Sequence, residues 1–282
     1  MLKTYSLLTK PGIIVGNLIT TAGGFALASK GHLNYMLFLV VLVGLGLIIA
    51  SACVWNNYID RALDEKMERT KNRALVKGTI SPRNAKIFAA FLGAVGTLVL
   101  ALFAPIITVY TSLTGLFIYV VLYSFWKSSL KYATLIGSVA GGIPIVVGYT
   151  AVTTHLDLAA FVLFAIMVLW QMPHFFAIAL YRMRDYESAA IPVLPVVRGV
   201  HTTQVRMFLY IVAFLLTTPL LTLFGYTGYL YLTLMTLVGA IWLVLSIKGF
   251  KSDQPQVWAR QMFLFSLVVI MMQSLLISVN TV

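Results

Sequence analysis

Stretches of about 20 mostly apolar residues recur along the whole chain, and the links between them are too short to form a soluble domain. That pattern leaves few possible folds. Inside a bilayer every backbone N–H and C=O must be satisfied within the spanning structure, so only helices and closed barrels cross it. Runs of this length suit helices, since a barrel strand needs only about 10 residues. The composition agrees: 60% hydrophobic and 10% charged residues over 282 positions exclude an ordinary soluble domain. The apolar runs place spans at 11–29, 35–57, 86–104, 106–126, 133–154, 157–181, 204–224, 227–247 and 259–279. The expected fold is an all-α integral membrane protein of about nine transmembrane helices, forming one domain over 1–282.

The net charge of +12 is distributed unevenly. Threading nine spans puts Lys3, Lys10, the cluster from Arg61 to Lys86, Lys127, Lys131, Arg182, Arg184, Arg198, Arg206, Lys248, Lys251 and Arg260 on one side of the membrane. Only Lys30 falls opposite. This is the positive-inside asymmetry. It places the N-terminus and the charged loops in the cytoplasm, and it argues for a lipid bilayer and anionic groups as partners rather than nucleic acid. Met1 to Lys10 is short and polar, so the first span reads as a retained anchor in a bacterial-type cytoplasmic (inner) membrane. Cys53 is the only cysteine, which rules out an internal disulfide.

At the cytoplasmic end of the second span, Asn56, Asp60 and Asp64 recur every fourth residue. On a helix they stack on one face. Ionisable groups at a membrane boundary are costly unless they serve a function. Oxygen ligands in such a row suit Mg²⁺, which is usually held by one or two carboxylates plus substrate phosphates. Arg69, Lys71 and Arg73 follow, so acids come first and bases second, the order a metal–diphosphate site requires. The plainer reading, a solvated loop with intrahelical acid–base pairs, suits Glu65, Lys66 and Glu68.

A second cytoplasmic segment runs from about His174 to Arg206. Tyr181 and Asp185 are one helical turn apart in sequence, and Asp185 would add a second metal or phosphate contact. His174 follows Pro173 in an aromatic, apolar run, the setting of a buried polar pocket. Pro144, after Gly141-Gly142-Ile143, is expected to kink the fifth span.

Asn56-xxx-Asp60-xxx-Asp64, with Met67-x-Arg69-Thr70-xx-Arg73, resembles the first motif of the UbiA superfamily of intramembrane prenyltransferases. Trp170-Gln171-Met172-Pro173-His174, Asp185-Tyr186 and Ile191-Pro192-Val193-Leu194-Pro195 resemble the heme-O-forming branch of that superfamily. So do Lys10-Pro11-Gly12-Ile13, the stretch from Lys71 to Lys77, and the segment from Gly137 to Pro144. The resemblance extends from Lys10 to Arg260. It has departures: Tyr181 and Asp185 stand where many members carry two acids, Ala74 replaces a common Pro, and Lys127-Ser128 replaces a Lys-Arg pair.

The resemblance implies nine helices around a central cavity with two cytoplasmic cap loops. It implies Mg²⁺-dependent transfer of a farnesyl group from farnesyl diphosphate to a vinyl group of heme B, with water quenching the resulting cation. Asn56, Asp60, Asp64 and Asp185 would hold the metal, with Asp60, Asp64, Tyr181 and Asp185 as the catalytic set. Arg69, Lys71, Arg73 and Lys127 would bind the diphosphate, and His174 would face the heme. An aromatic face such as Tyr123, Tyr149, Phe175 or Tyr181 would stabilise the allylic cation. Product hand-off to terminal-oxidase assembly machinery is a further implication. The alternatives are a family member acting on an aromatic quinone precursor and, from another class, a multi-pass transporter. Transporters usually place polar residues near the bilayer midplane, whereas these acids cluster at one rim.

Overall fold

The computed structural model of the chain describes residues 2–125 and 133–282. Within them a short amphipathic start, α1 (Leu2–Leu8), leads to α2 (Pro11–Ser29), α3 (Tyr35–Asp64), α4 (Pro82–Phe103) and α5 (Ile106–Phe117). α5 continues as a π-helical stretch, Ile118–Ser124. After it come α6 (Ala133–Thr153), α7 (Leu158–Tyr181), α8 (Met183–Ser188), α9 (Leu194–Thr217), α10 (Leu220–Leu223), α11 (Tyr229–Lys248) and α12 (Pro255–Val279). Among the described residues nine helices are long and apolar enough to cross a membrane. The all-helical, nine-span fold expected from the sequence is therefore borne out.

The helix ends follow local chemistry. Ser81 Oγ accepts from the Asn84 N–H at 3.2 Å, and Pro82 occupies the first turn of α4, where its missing N–H costs nothing. Asp157 caps α7 by accepting from the Ala160 N–H at 3.0 Å. Hydropathy located the apolar cores but not all the ends. α3 runs past 57 to Asp64, so the acid ladder is helical, and α9 begins at Leu194 rather than near 204. The backbone hydrogen-bond ladder continues into the polar rim after the hydropathy has fallen. In α9 it also crosses a non-helical point at Gly199, φ 79° and ψ 171°. α6 and α7 carry Pro144 and Pro173 within continuous helices.

α2, α6, α7 and α12 pack together in the middle of the bundle. α3, α4 and α5 flank them on one side, and α9 and α11 on the other. The largest apolar cluster joins α6, α7, α9, α11 and α12 around Met167, Phe214, Tyr231 and Trp242. α2 and α6 come into backbone contact through glycine. A Cβ at Gly24 would overlap the Ile145 carbonyl oxygen, and one at Gly148 would overlap that of Thr21. Backbone cannot yield as a flexible side chain can, so Gly148→Ala is expected to cost about 1–3 kcal/mol through overpacking. Gly148→Leu should leave no folded monodisperse protein in detergent. A melting temperature for Gly148→Ala equal to wild type would contradict this packing.

Candidate functional site

Asn56, Asp60 and Asp64 stack on one face of α3 and are buried to 3%, 3% and 2% exposure. The Asn56 carboxamide is held from both sides. Lys10 Nζ donates to its Oδ1 at 2.5 Å, and its Nδ2 donates to Ser124 Oγ at 3.0 Å. Ser124 Oγ in turn donates to the Tyr119 carbonyl at 2.9 Å, across the widened π-helical turn. Asp64 Oδ2 accepts from Arg73 Nη1 at 2.6 Å, and the Asp64 carbonyl accepts from Thr70 Oγ1 at 2.9 Å. Asp60 lies between these two, within electrostatic reach of Tyr119 and Tyr123. Those tyrosines stack with ring centroids 5.4 Å apart and planes 28° apart.

Among the described residues no three His, Cys, Asp or Glu side chains converge as a metal cage. Mg²⁺ needs less, because it commonly takes one or two carboxylates and completes its octahedron with phosphate oxygens and water. Asn56, Asp60 and Asp64 supply that donor set. Both ends of the ladder already hold cations, the Lys10 ammonium on Asn56 and the Arg73 guanidinium on Asp64. The ladder therefore fits a hard divalent ion.

The other residues singled out in the sequence are placed unevenly. Arg69 is exposed and lies near Tyr123. Lys71 pairs with Glu68 at 2.7 Å in an exposed contact, which contributes little and ties the ammonium to Glu68 rather than to the ladder. Lys127 and Lys131 lie outside the described residues. Tyr181 and Asp185 do not share a helix as their spacing suggests. The backbone breaks at Arg182, φ −109° and ψ 25°, so Tyr181 ends α7 and Asp185 sits in the first turn of α8. Tyr181 carries the Arg182 guanidinium 4.4 Å from its ring centroid, with that of Arg260 at 6.0 Å. The Asp185 carboxylate is half-buried and makes no hydrogen bond or ion pair among the described residues. Tyr149 is far from the ladder end. Its hydroxyl donates to Asp157 Oδ2 at 2.8 Å, on the opposite-side link.

The two cap segments are packed on each other. Met67 of the first joins Ala189 and Ile191 of the second in one buried cluster, and Ser188 Oγ lies 3.0 Å from the Lys66 carbonyl and 2.9 Å from that of Asp185, its one proton shared between them. The Ile191-Pro192-Val193-Leu194-Pro195 stretch thus has a structural role. It carries Ile191 onto Met67 and starts α9 with a proline in the first turn.

His174 lies on α7 against α12. Its ring stacks on Trp170 at 4.8 Å and 25° and packs against Phe263 at 5.2 Å. Ser266 of α12 anchors both rings. The Ser266 carbonyl accepts from Trp170 Nε1 at 2.8 Å, and Ser266 Oγ pairs with His174 Nδ1 at 2.7 Å. Ser266 Oγ also donates to the Phe263 carbonyl at 2.6 Å. A hydroxyl has one proton, so toward His174 this oxygen accepts. With the Ser266 proton on the Phe263 carbonyl, the imidazole proton sits on Nδ1 and the lone pair on Nε2, which has no hydrogen-bond partner among the described residues. One turn away, Gln171 is 5% exposed with an orphaned Oε1, and glycine at 141 makes room for its amide. Ser266 and Ser124 carried no signal in the sequence. Each is a lone serine in an apolar run, brought to its partner from 92 and 68 residues away.

Comparison with known proteins points the same way as this geometry. The family model described as the UbiA prenyltransferase family matches residues 17–268. The chain is 50% identical to a protoheme IX farnesyltransferase of Protochlamydia amoebophila, over 100% of both chains. It is 49% identical to one of Cronobacter sakazakii, over 99% of this chain and 95% of that one. Among solved structures, one concerning a digeranylgeranylglyceryl phosphate synthase superposes with TM-score 0.81 at 20% identity, covering 99% and 98% of the two chains. A UbiA homologue of Archaeoglobus fulgidus bound to GPP and Mg²⁺ superposes with TM-score 0.75 at 16% identity, covering 98% and 100%.

Proposed function

Because this chain belongs to the UbiA prenyltransferase family, we propose that it transfers the farnesyl group of farnesyl diphosphate to a vinyl group of heme B. The observation that carries the choice of acceptor is the full-length match, at 50% identity, to a protoheme IX farnesyltransferase. The ladder geometry supports the leaving-group half of the reading.

In this reading Asn56, Asp60 and Asp64 hold Mg²⁺ at the rim, with Asp185 presented from α8. The bound ion supplies Lewis-acid stabilisation of the departing diphosphate. Arg73, already held at the ladder by Asp64, and Arg69 bind phosphate oxygens, and their planar forks match phosphate geometry. The stacked Tyr119 and Tyr123, beside Asp60, offer π faces to the allylic cation. The apolar helices behind them take the isoprenoid chain and exclude water until the vinyl carbon has added. Water then captures the new cation on the porphyrin side chain and loses a proton, leaving a hydroxyl. His174 faces the heme through Nε2, with Ser266 holding its tautomer. The ladder end faces the cytoplasm of a bacterial-type inner membrane, by the distribution of Lys and Arg. The product passes to the machinery that assembles a terminal oxidase.

The test is direct. Membranes containing the full chain, given heme B, farnesyl diphosphate and Mg²⁺, should yield a heme whose mass has risen by one farnesyl group plus one hydroxyl group. No such product, with prenylation of an aromatic quinone precursor instead, would move the assignment to the other acceptor class.

A further inference from the structure

Lys10 follows Thr9 in the two-residue elbow between α1 and α2, and two observations set it apart. Its backbone is left-handed, φ 53° and ψ 69°, a region that strongly favours glycine and is uncommon for a long side chain. Its ammonium crosses to α3 and donates to Asn56 Oδ1 at 2.5 Å, over 46 residues of sequence. The elbow is pinned on its α1 side at Leu8. Asn57 Nδ2 donates to the Leu8 carbonyl at 2.8 Å, and Leu8 is buried against Ala50 and Val54. A strained non-glycine conformation persists where the surroundings fix it, and such positions gather at functional sites. Glycine would serve the turn better. What glycine lacks is the ammonium.

Asn56 is 3% exposed and its Nδ2 is committed to Ser124, so Oδ1 is the atom it offers to a cation at the first position of the ladder. An ammonium on that oxygen and a divalent metal on it are alternatives. The local charge explains why both would have a use. Buried Asp60 and Asp64 need positive charge near them; Arg73 pairs with Asp64, and the Lys10 ammonium sits on Asn56 one turn before Asp60. A prenyl diphosphate arriving with its metal brings more negative charge than one Mg²⁺ neutralises, so a displaced lysine gains a new partner at the same rim. Its flexible four-carbon stem and rotatable donors suit such a move better than an arginine fork does.

We propose that Lys10 is an exchangeable counter-ion of the ladder: it occupies Asn56 when no metal is bound, and turns to a phosphate oxygen of the diphosphate when metal takes its place. Lys10 is then a substrate-binding residue contributed by the N-terminal elbow, apart from the basic run after Asp64. The inference rests on reading the ladder as a metal–diphosphate site.

The test uses the full chain purified in detergent or nanodiscs, with Lys10→Met, Lys10→Arg and Lys10→Gly. Binding of Mn²⁺ alone, read by electron paramagnetic resonance, should tighten several-fold in Lys10→Met, because the competing ammonium is gone. Binding of a non-hydrolysable farnesyl thiolodiphosphate at saturating metal should weaken about tenfold in the same variant, and less in Lys10→Arg. Lys10→Gly should keep or raise thermal stability yet show the same two binding changes. A residue that only tethers the elbow would lower stability equally with and without metal and leave metal affinity unmoved. That outcome, or unchanged analogue binding in Lys10→Met, overturns the proposal. Wild-type protein that fails to bind the analogue in a metal-dependent way would instead overturn the reading of the ladder.

Discussion

Asp64→Asn is expected to reduce prenyl transfer by at least about 10²–10³-fold while the protein stays folded in the membrane, the scale of losing one preorganised electrostatic contact to a developing charge. The substitution keeps the size of the side chain and removes its charge. It takes from Arg73 the carboxylate it contacts at 2.6 Å, and from the ladder one of two anionic oxygen donors. A charged hydrogen bond of this kind contributes roughly 1.5–3 kcal/mol, and the low end applies because the Arg73 side chain is 31% exposed and can turn to water. The Thr70 contact is to the Asp64 carbonyl, so the start of the cap loop is kept. Stability should therefore fall only modestly. Asp60→Asn should match it in activity. Farnesylated product measured by mass, beside a melting curve for each variant, separates loss of chemistry from loss of fold. Mg²⁺-dependent product at near wild-type rates from either variant would remove the ladder from the mechanism.

The ladder was legible because its three side chains lie on one face of one helix, where sequence spacing is spatial spacing. The spans were legible for a related reason: length and apolarity are local properties, and the bilayer makes them decisive. Arrangements that depend on two separated segments were not legible. Tyr181 and Asp185 have the spacing of one helical turn, but the chain breaks at Arg182, so the shared face suggested by the spacing does not form. Lys71 sits in a basic run beside the ladder, yet Glu68 three residues away takes its ammonium. Hydropathy started the seventh span late because Arg198 and His201 interrupt the apolar run. The proline in the first turn of α9 was the better marker of where that helix starts. Ser124 and Ser266 look like packing residues in sequence and acquire meaning only when α3 meets the π-helical stretch and α7 meets α12.

The last of these pairs carries the second large prediction. If His174 meets the heme through Nε2, Ser266 decides whether a lone pair is available there. With Ser266 in place, its oxygen accepts the Nδ1 proton, since its own proton is given to the Phe263 carbonyl. His174→Ala should weaken binding of ferric heme B by more than about tenfold and abolish the spectral change that accompanies it. Ser266→Ala leaves the imidazole present but frees its tautomer and orientation, and should cost about 10–100-fold in heme affinity, the usual range for a residue that orients a ligand. Ser266→Thr keeps the hydroxyl and should restore most of that affinity, which a purely packing role for the serine would not predict. Titration of each full-length variant with heme B, followed by its main visible absorption band, makes the comparison. Farnesyl diphosphate binding should stay near wild type in all three, because the ladder is not touched. Unchanged heme spectra and affinity in His174→Ala would place the acceptor elsewhere in the bundle and return Trp170, His174 and Ser266 to a role in packing α7 on α12.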